Sequence, residues 1–321
     1  MKAILVRQFG GPEVLKAENV DRPEPGEGEV LVRVKAAGVN PVDTYIREGI
    51  YASTPALPFI PGKDGAGEVD AVGPGVTKVK PGDRVYLAGA ITGTYAEFAL
   101  CKEDQVWELP ENVSFEQGAG VFVPYATAYR ALIHRAEAEE GETVLVHGAS
   151  GAVGTAAVQW AKHYGLRVIG TAGSEEGRDL VAEVGADSVY DHTSSPPFAY
   201  LDEINEKEGG VEIVLEMLAN KNLQEDFRAL KKFGRIVVIG NRGSLEFNPR
   251  LTMGKEATIR GMSLFNAPDE AMAEIHREIG KGLSEGYLIP EIGRTFSLEE
   301  APLAHREVIE SRAYGKIVLI P

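Results

Sequence analysis

The 321-residue chain has one cysteine, Cys101, and two tryptophans. A single cysteine cannot close an internal disulfide or build a four-cysteine structural zinc site. No His–Asp pairing around it signals activation, so it reads as a small buried residue rather than a nucleophile. Basic residues are in deficit: 33 Lys and Arg face 48 Asp and Glu, giving a net charge of −15. Such a surface repels phosphate backbones, so no nucleic acid is expected as a partner. A local basic pocket for a phosphorylated cofactor remains possible. No apolar run reaches the roughly 18 residues that span a bilayer, and no membrane association is expected. The opening MKAILVRQFGG has too short an apolar run for a signal peptide and carries Arg7 early. It reads as a first strand, and the expected location is cytoplasmic.

The chain does contain a change of texture near residue 125. Before it, strand candidates at Ala3–Phe9, Val30–Val39, Gly67–Val72 and Asp83–Ala88 are separated by turn-rich stretches such as PEPGEGE and KPGD. After it, short β-branched runs at Val144–Val146, Arg167–Thr171, Ser188–Tyr190, Val211–Leu215 and Arg235–Ile239 alternate with helical stretches. Helices are expected at Ser150–Tyr164, Glu175–Val184 and Leu223–Phe233, each ending close to a glycine (Gly165, Gly185, Gly234). DHTSSPPFAY at 191–200 reads as a loop. A further helix at Asp269–Glu285 precedes a last strand, Lys316–Ile320. The fold class is α/β: a β-rich part at 1–124 and 268–321 around a doubly wound parallel-sheet part at 125–267.

HGASGAVG, at 147–154, lies between the run Thr143–Val146 and an amphipathic stretch. A dinucleotide's pyrophosphate needs close approach to the backbone there, and the helix N-terminus supplies free N–H groups. Against G-x-G-x-x-G, Ala149 takes the first position, Gly151 faces the pyrophosphate and Gly154 lets helix and strand pack; Ser150 adds a hydroxyl. The second strand ends in Gly170-Thr-Ala-Gly-Ser174, with no acid until Glu175. An NAD site places an acid there for the ribose 2′-hydroxyl. Small and hydroxyl groups instead leave room for a 2′-phosphate, with Arg178 one turn on and Tyr190 or His192 flanking. Glu175 and Glu176 oppose that charge but suit the first turn of a helix. NADPH is the expected cofactor.

Several blocks together resemble the zeta-crystallin-type quinone oxidoreductases of the medium-chain dehydrogenase/reductase superfamily. They are FGGPEVL at 9–15, AAGVNPVDTYIREGIY at 36–51, PGKDGAGEV at 61–69, VPYATAYRAL at 123–132, VLVHGASGAVG at 144–154, GTAGSEEG at 170–177, EMLAN at 216–220 and NPR at 248–250. The resemblance implies a GroES-like catalytic domain, a Rossmann domain, NADPH, one- or two-electron reduction of small quinones, and a homodimer or homotetramer. Zinc relatives hold catalytic metal with a Cys and a Gly-His-Glu at positions that here carry Asn40 and Gly62-Lys63-Asp64, so no metal is expected. Oxyanion donors are then Tyr45, Tyr51 and Asn40; Asp43 reads as a turn or cap residue. The implied NADPH contacts are Tyr45, Thr127, Ser150, Gly151, Ala152, Val153, Gly173, Ser174, Arg178, His192 and Asn220, with Ile239-Gly240-Asn241 and Ser263-Leu264-Phe265 closing over the nicotinamide. His134, His147, His163, His276 and His305 show no mutual metal-ligand spacing. The alternatives are an enone or alkenal reductase of the same fold, and a crystallin-like RNA-binding protein. The second needs a basic groove, and Lys231-Lys232 is too short to make one.

Overall fold

The computed structural model describes residues 1–311 and 314–321. In chain order the strands are β1 (Lys2–Val6), β2 (Leu15–Asn19), β3 (Glu29–Val39), β4 (Asp64–Val72), β5 (Arg84–Ala88), β6 (Phe98–Lys102), β7 (Val106–Glu108), β8 (Thr143–Val146), β9 (Arg167–Ala172), β10 (Ser188–Asp191), β11 (Val211–Glu216), β12 (Leu230–Val238), β13 (Thr258–Gly261), β14 (Ile292–Ser297) and β15 (Lys316–Ile320). They fall into two compact units. One holds Met1–Val123 with the C-terminal segment from His276; the other holds Pro124–Ile275.

The first unit is built on a seven-stranded, mainly antiparallel sheet in the order β14-β15-β3-β4-β5-β7, with β6 also paired to β3. The eleven-residue β3 is its spine, taking β4, β6 and β15 as antiparallel neighbours. The pairing of Val318 with Gly38 returns the C-terminus to the N-terminal sheet. The core draws on alternate residues of several strands, among them Val30, Val32, Val34, Val85, Leu87 and Leu319, as a period of two requires. Cys101 is one of them, fully buried, and burial pushes its thiol up to about 12, away from nucleophilic use.

The second unit is a six-stranded, all-parallel sheet in the order β10-β9-β8-β11-β12-β13. Parallel strands covered on both faces read as apolar runs, and Val144, Leu145 and Val146 are all fully buried. The crossover helices include Ala152–His163, Glu175–Glu183 and Ala199–Glu208. Gly165 and Gly185 both take positive φ just past a helix end, as their role as stops requires.

The helix expected at Leu223–Phe233 is not formed. Two short pieces replace it, an α-helical turn at Ala219–Asn222 and a 3₁₀ turn at Glu225–Arg228, and β12 starts at Leu230. The helical spacing of Leu223, Phe227 and Leu230 is real, and all three are buried. Leu230, however, pairs with Val211, while Arg235 pairs with Ile213. The intervening Lys231–Gly234 bulges out, with Phe233 left-handed and 70% exposed. Gly234 therefore serves a bulge rather than a helix end. Of the stretch 191–200 only 192–198 is a loop, because β10 takes Asp191 and the helix Ala199–Glu208 takes the last two residues.

Candidate active site

The order of the parallel sheet reverses between β8 and β11, and in such sheets ligands bind at the carboxyl ends of the strands beside that point. β8 ends at Val146; Gly148 follows with φ +56°, a conformation that favours glycine. Its N–H donates to Thr171 Oγ1 at 3.2 Å, and the Ala149 N–H donates to the Thr171 carbonyl at 2.8 Å. The loop is thereby tied to the tip of β9. Gly151 caps the next helix, which begins at Ala152, two residues later than the expected start. The first-turn amides of such a helix lack intrahelical acceptors, which suits a pyrophosphate. A Cβ on Gly154 would stand 2.5 Å from both Ala149 Cα and the Gly148 carbonyl oxygen, so only glycine lets this helix seat on its loop.

The tip of β9 carries no acid. Ser174 caps the helix Glu175–Glu183, its Oγ accepting the Gly177 N–H at 3.0 Å. A Cβ on Gly177 would lie 3.0 Å from Ser174 Oγ and 3.2 Å from Ser150 Oγ, so both hydroxyls gather at one point. Glu175 and Glu176 occupy the first helical turn and are exposed. A Cβ on Gly173 would stand 2.8 Å from His192 Nε2, and His192 Nδ1 lies 3.2 Å from Thr171 Oγ1. Arg178 pairs with Asp191 at 2.9 Å. Tyr190 lines one pocket with Arg178 and Asp191, and its hydroxyl donates to Glu208, which also accepts from Ser188 and Arg167.

The remaining expected cofactor residues follow the other strand ends. Asn220 Oδ1, just past β11, accepts the Arg242 N–H at 3.0 Å. Past β12, the Gly240 carbonyl accepts the Ala219 N–H at 3.0 Å, and a Cβ there would strike the Met217 carbonyl oxygen at 2.2 Å. Asn241 Nδ2 donates to the Gly243 carbonyl at 2.6 Å. Ser263 caps the 3₁₀ turn Leu264–Asn266 past β13, with Leu264 buried and Phe265 43% exposed. Thr127 is buried on the helix Phe122–Tyr129.

Sequence reasoning missed a fully buried trio under this edge. His147 Nε2 lies 2.8 Å from Asp226 Oδ1 and 3.6 Å from Glu216 Oε2. Burial pushes both carboxyls up and His147 down. Two buried carboxyls in contact cannot both ionise, and one proton shared between Glu216 and Asp226 satisfies the facing oxygens. Glu216 Oε1 also accepts from the Leu218 N–H and from Asn222 Nδ2. The trio therefore braces the turn that carries Asn220. His147 and Glu216 stand at the ends of apolar runs, Asp226 lies in a polar stretch, and only the fold brings the three together.

In the first unit Asn40 caps the helix Pro41–Glu48, and Asp43 completes a capping box by accepting the Asn40 N–H at 2.9 Å. The Asn40 amide is taken up internally. Its Nδ2 donates to Asp64 Oδ2 at 3.0 Å, and its Oδ1 accepts from the Lys316 ammonium at 2.6 Å. Lys316 also donates to Asp64 Oδ2 at 2.6 Å, and the Val123 N–H donates to Asp64 Oδ1 at 2.9 Å. The Lys316 ammonium thus stands between the Asn40 and Asp64 side chains. Tyr45 is half-buried on this helix, and no hydrogen bond to its hydroxyl is found among the described residues; Tyr51 is half-buried just beyond the helix end.

A GroES-like unit joined to a Rossmann-type unit defines a medium-chain dehydrogenase/reductase. Family models agree: residues 26–111 match an alcohol dehydrogenase GroES-like domain, and residues 152–279 match a zinc-binding dehydrogenase. Within this class the chain belongs to the quinone oxidoreductases. It is 48% identical to the quinone oxidoreductase of Rattus norvegicus and 47% identical to that of Homo sapiens, over the whole chain and 98% of each relative. The Escherichia coli quinone oxidoreductase solved with NADPH superposes with a TM-score of 0.90 at 31% identity, covering all of both chains.

Proposed function

We propose that this oxidoreductase reduces small quinones with NADPH, and that the carboxyl edge of the parallel sheet holds the cofactor. The observation that carries the reading is the gathering of Ser150, Gly173, Ser174 and His192 around an acid-free β9 tip, with Arg178 paired to Asp191 at the end of the adjoining β10. Hydroxyls, an imidazole and a guanidinium suit a 2′-phosphate, where a carboxylate would suit a 2′-hydroxyl. The amides of Gly151, Ala152 and Val153 take the pyrophosphate. Thr127, Asn220, Ile239–Asn241 and Ser263–Phe265 bound the nicotinamide end. NADPH, when bound, supplies the hydride.

Tyr45 and Tyr51 supply O–H donors to the oxygen that gains charge. Asn40 serves less directly: with its amide spent on Asp64 and Lys316, it fixes the start of the helix that carries Tyr45. A quinone is already a good hydride acceptor, so this donor set works without a metal, and the Lys316 ammonium meets the Asp64 charge that a cation would otherwise meet. The proposed domains are a GroES-like catalytic domain at 1–124 with 268–321 and a Rossmann NADPH-binding domain at 125–267. The family resemblance supports a homodimer or homotetramer in the cytoplasm; no helix among the described residues is long and apolar enough to cross a membrane.

The test is loss of NADPH absorbance with a panel of acceptors, alongside NADH and alcohols with NADP⁺. Fast turnover of benzoquinones or naphthoquinones with NADPH is expected. Turnover of enones alone would move the protein to the alkenal reductases, and turnover of alcohols after added zinc would overturn the metal-free donor set.

A further inference from the structure

We propose that Asp191 sets how strongly the enzyme prefers NADPH to NADH, by competing with the cofactor's 2′-phosphate for the guanidinium of Arg178. The inference rests on the reading of Arg178 as a phosphate partner given above. Asp191 is the last residue of β10 and pairs in register with Ala172 at the end of β9. Its Oδ1 accepts from both the Thr193 N–H, at 2.8 Å, and the Thr193 hydroxyl, at 2.7 Å. That double contact fixes the carboxylate and turns Oδ2 toward Arg178 Nη1, 2.9 Å away. The Thr193 hydrogen bonds, with the Arg178 charge behind them, hold the Asp191 carboxyl below the usual range, so it is ionised at neutral pH.

The charge balance makes this pairing matter. Around the acid-free tip of β9, Arg178 is opposed by Asp191 and by exposed Glu175 and Glu176. The nearby Lys207 is paired with Glu203 at 2.8 Å. A 2′-phosphate therefore finds the Arg178 guanidinium already engaged, whereas the 2′-hydroxyl of NADH does not compete for it. The side chains of Arg178 and Asp191 are 31% and 36% exposed, so the pair is solvated and exchangeable. An exposed pair of this kind changes an equilibrium by about fivefold at most. Asp191 thus damps NADPH preference without abolishing it.

The experiment uses the full-length enzyme and two probes that differ only at the 2′ position, 2′,5′-ADP and 5′-AMP, with binding read by calorimetry. Asp191→Asn keeps the side-chain shape and an acceptor for Thr193. It is expected to tighten 2′,5′-ADP about three- to fivefold relative to 5′-AMP, and to raise the ratio of the NADH and NADPH KM values by a similar factor. The gain should be lost in the Asp191→Asn/Arg178→Gln double variant. Unchanged or weaker 2′,5′-ADP binding by Asp191→Asn would overturn the proposal, because it would make the carboxylate a support that aims Arg178. A gain kept in full without Arg178 would overturn it too. Should Asp191→Asn lower the melting temperature, Asp191→Ser carries the same comparison. Arg178→Gln alone separates the two readings. If it leaves 2′,5′-ADP unchanged, the phosphate-partner reading fails. If it weakens 2′,5′-ADP while Asp191→Asn tightens nothing, only the role of Asp191 fails.

Discussion

A hydroxyl without a hydrogen-bond partner among the described residues is available to a ligand, and that is the position of Tyr45. The helix it rides on is fixed at its start by the Asn40–Asp43 capping box and at its end by the left-handed Gly49. The ring is held while the O–H is not spent. Tyr45→Phe should therefore cost almost nothing in stability, since no hydrogen bond among the described residues is broken. It should lower kcat with quinones by about tenfold, less than the roughly hundredfold or more usual for loss of one oxyanion donor, because the acceptor is already activated. Steady-state kinetics beside thermal melts check both halves. A stability loss without a rate loss would make Tyr45 a packing residue. Tyr95 is the contrast: its hydroxyl is buried against His305 Nε2 at 3.1 Å and is committed to the fold.

At the scale of elements, β3, β4 and β15 are locked by one buried ion pair. Gly38 on β3 permits it, because a Cβ there would stand 2.6 Å from Lys316 Cε and 2.9 Å from Asp64 Cβ. Removing one partner leaves the other charge buried and uncompensated, at a cost of about 3–5 kcal/mol. Lys316→Met is expected to destabilise by that much in urea unfolding. Lys316→Met/Asp64→Leu should recover part of the loss, and a double variant as unstable as the single would refute the pairing argument. Most elements were legible in the sequence because their periodicity matched their burial: β8, β9, β11 and the helix after the glycine loop needed no tertiary information. The segment 223–233 misled because Leu223, Phe227 and Leu230 keep helical spacing while the pairing of Leu230 with Val211 claims the backbone for a strand. The proposed cofactor side could be assembled from sequence because loop, strand tip and cap are contiguous motifs. The Asn40–Asp64–Lys316 cluster and the His147–Glu216–Asp226 trio were not, because their members are far apart in sequence and meet only after the sheets form.

At the scale of the whole molecule, those buried acids set the direction of the response to pH. Burial, with the Asp64 charge behind it, pushes the Asp43 carboxyl up to about 7, and burial also raises Glu216 and Asp226. An acid whose folded pKa is raised keeps its proton in the native state while the unfolded chain releases it. The unfolded state then binds fewer protons, and stability falls as pH rises. For Asp43 the window opens at the ordinary aspartate value of 3.8 and closes near 7. Paired surface acids such as Asp187 and Asp202 work in the other sense, since their lowered values give up stability only as pH falls below the ordinary carboxylate range. The two effects leave an optimum on the mildly acidic side, with a decline between about pH 5 and pH 8 that an acidic surface charge of −15 reinforces by self-repulsion. Asp43→Asn keeps an acceptor for the Asn40 N–H and removes one titrating group. Its melting temperature should therefore gain on the wild type steadily as pH rises from about 4 to about 7, hold that gain above pH 7, and draw together with the wild type below about pH 4. A difference that stays constant across that range would show Asp43 to be ionised throughout and its burial to be balanced by Lys316 and Lys63, the two cations that act on it.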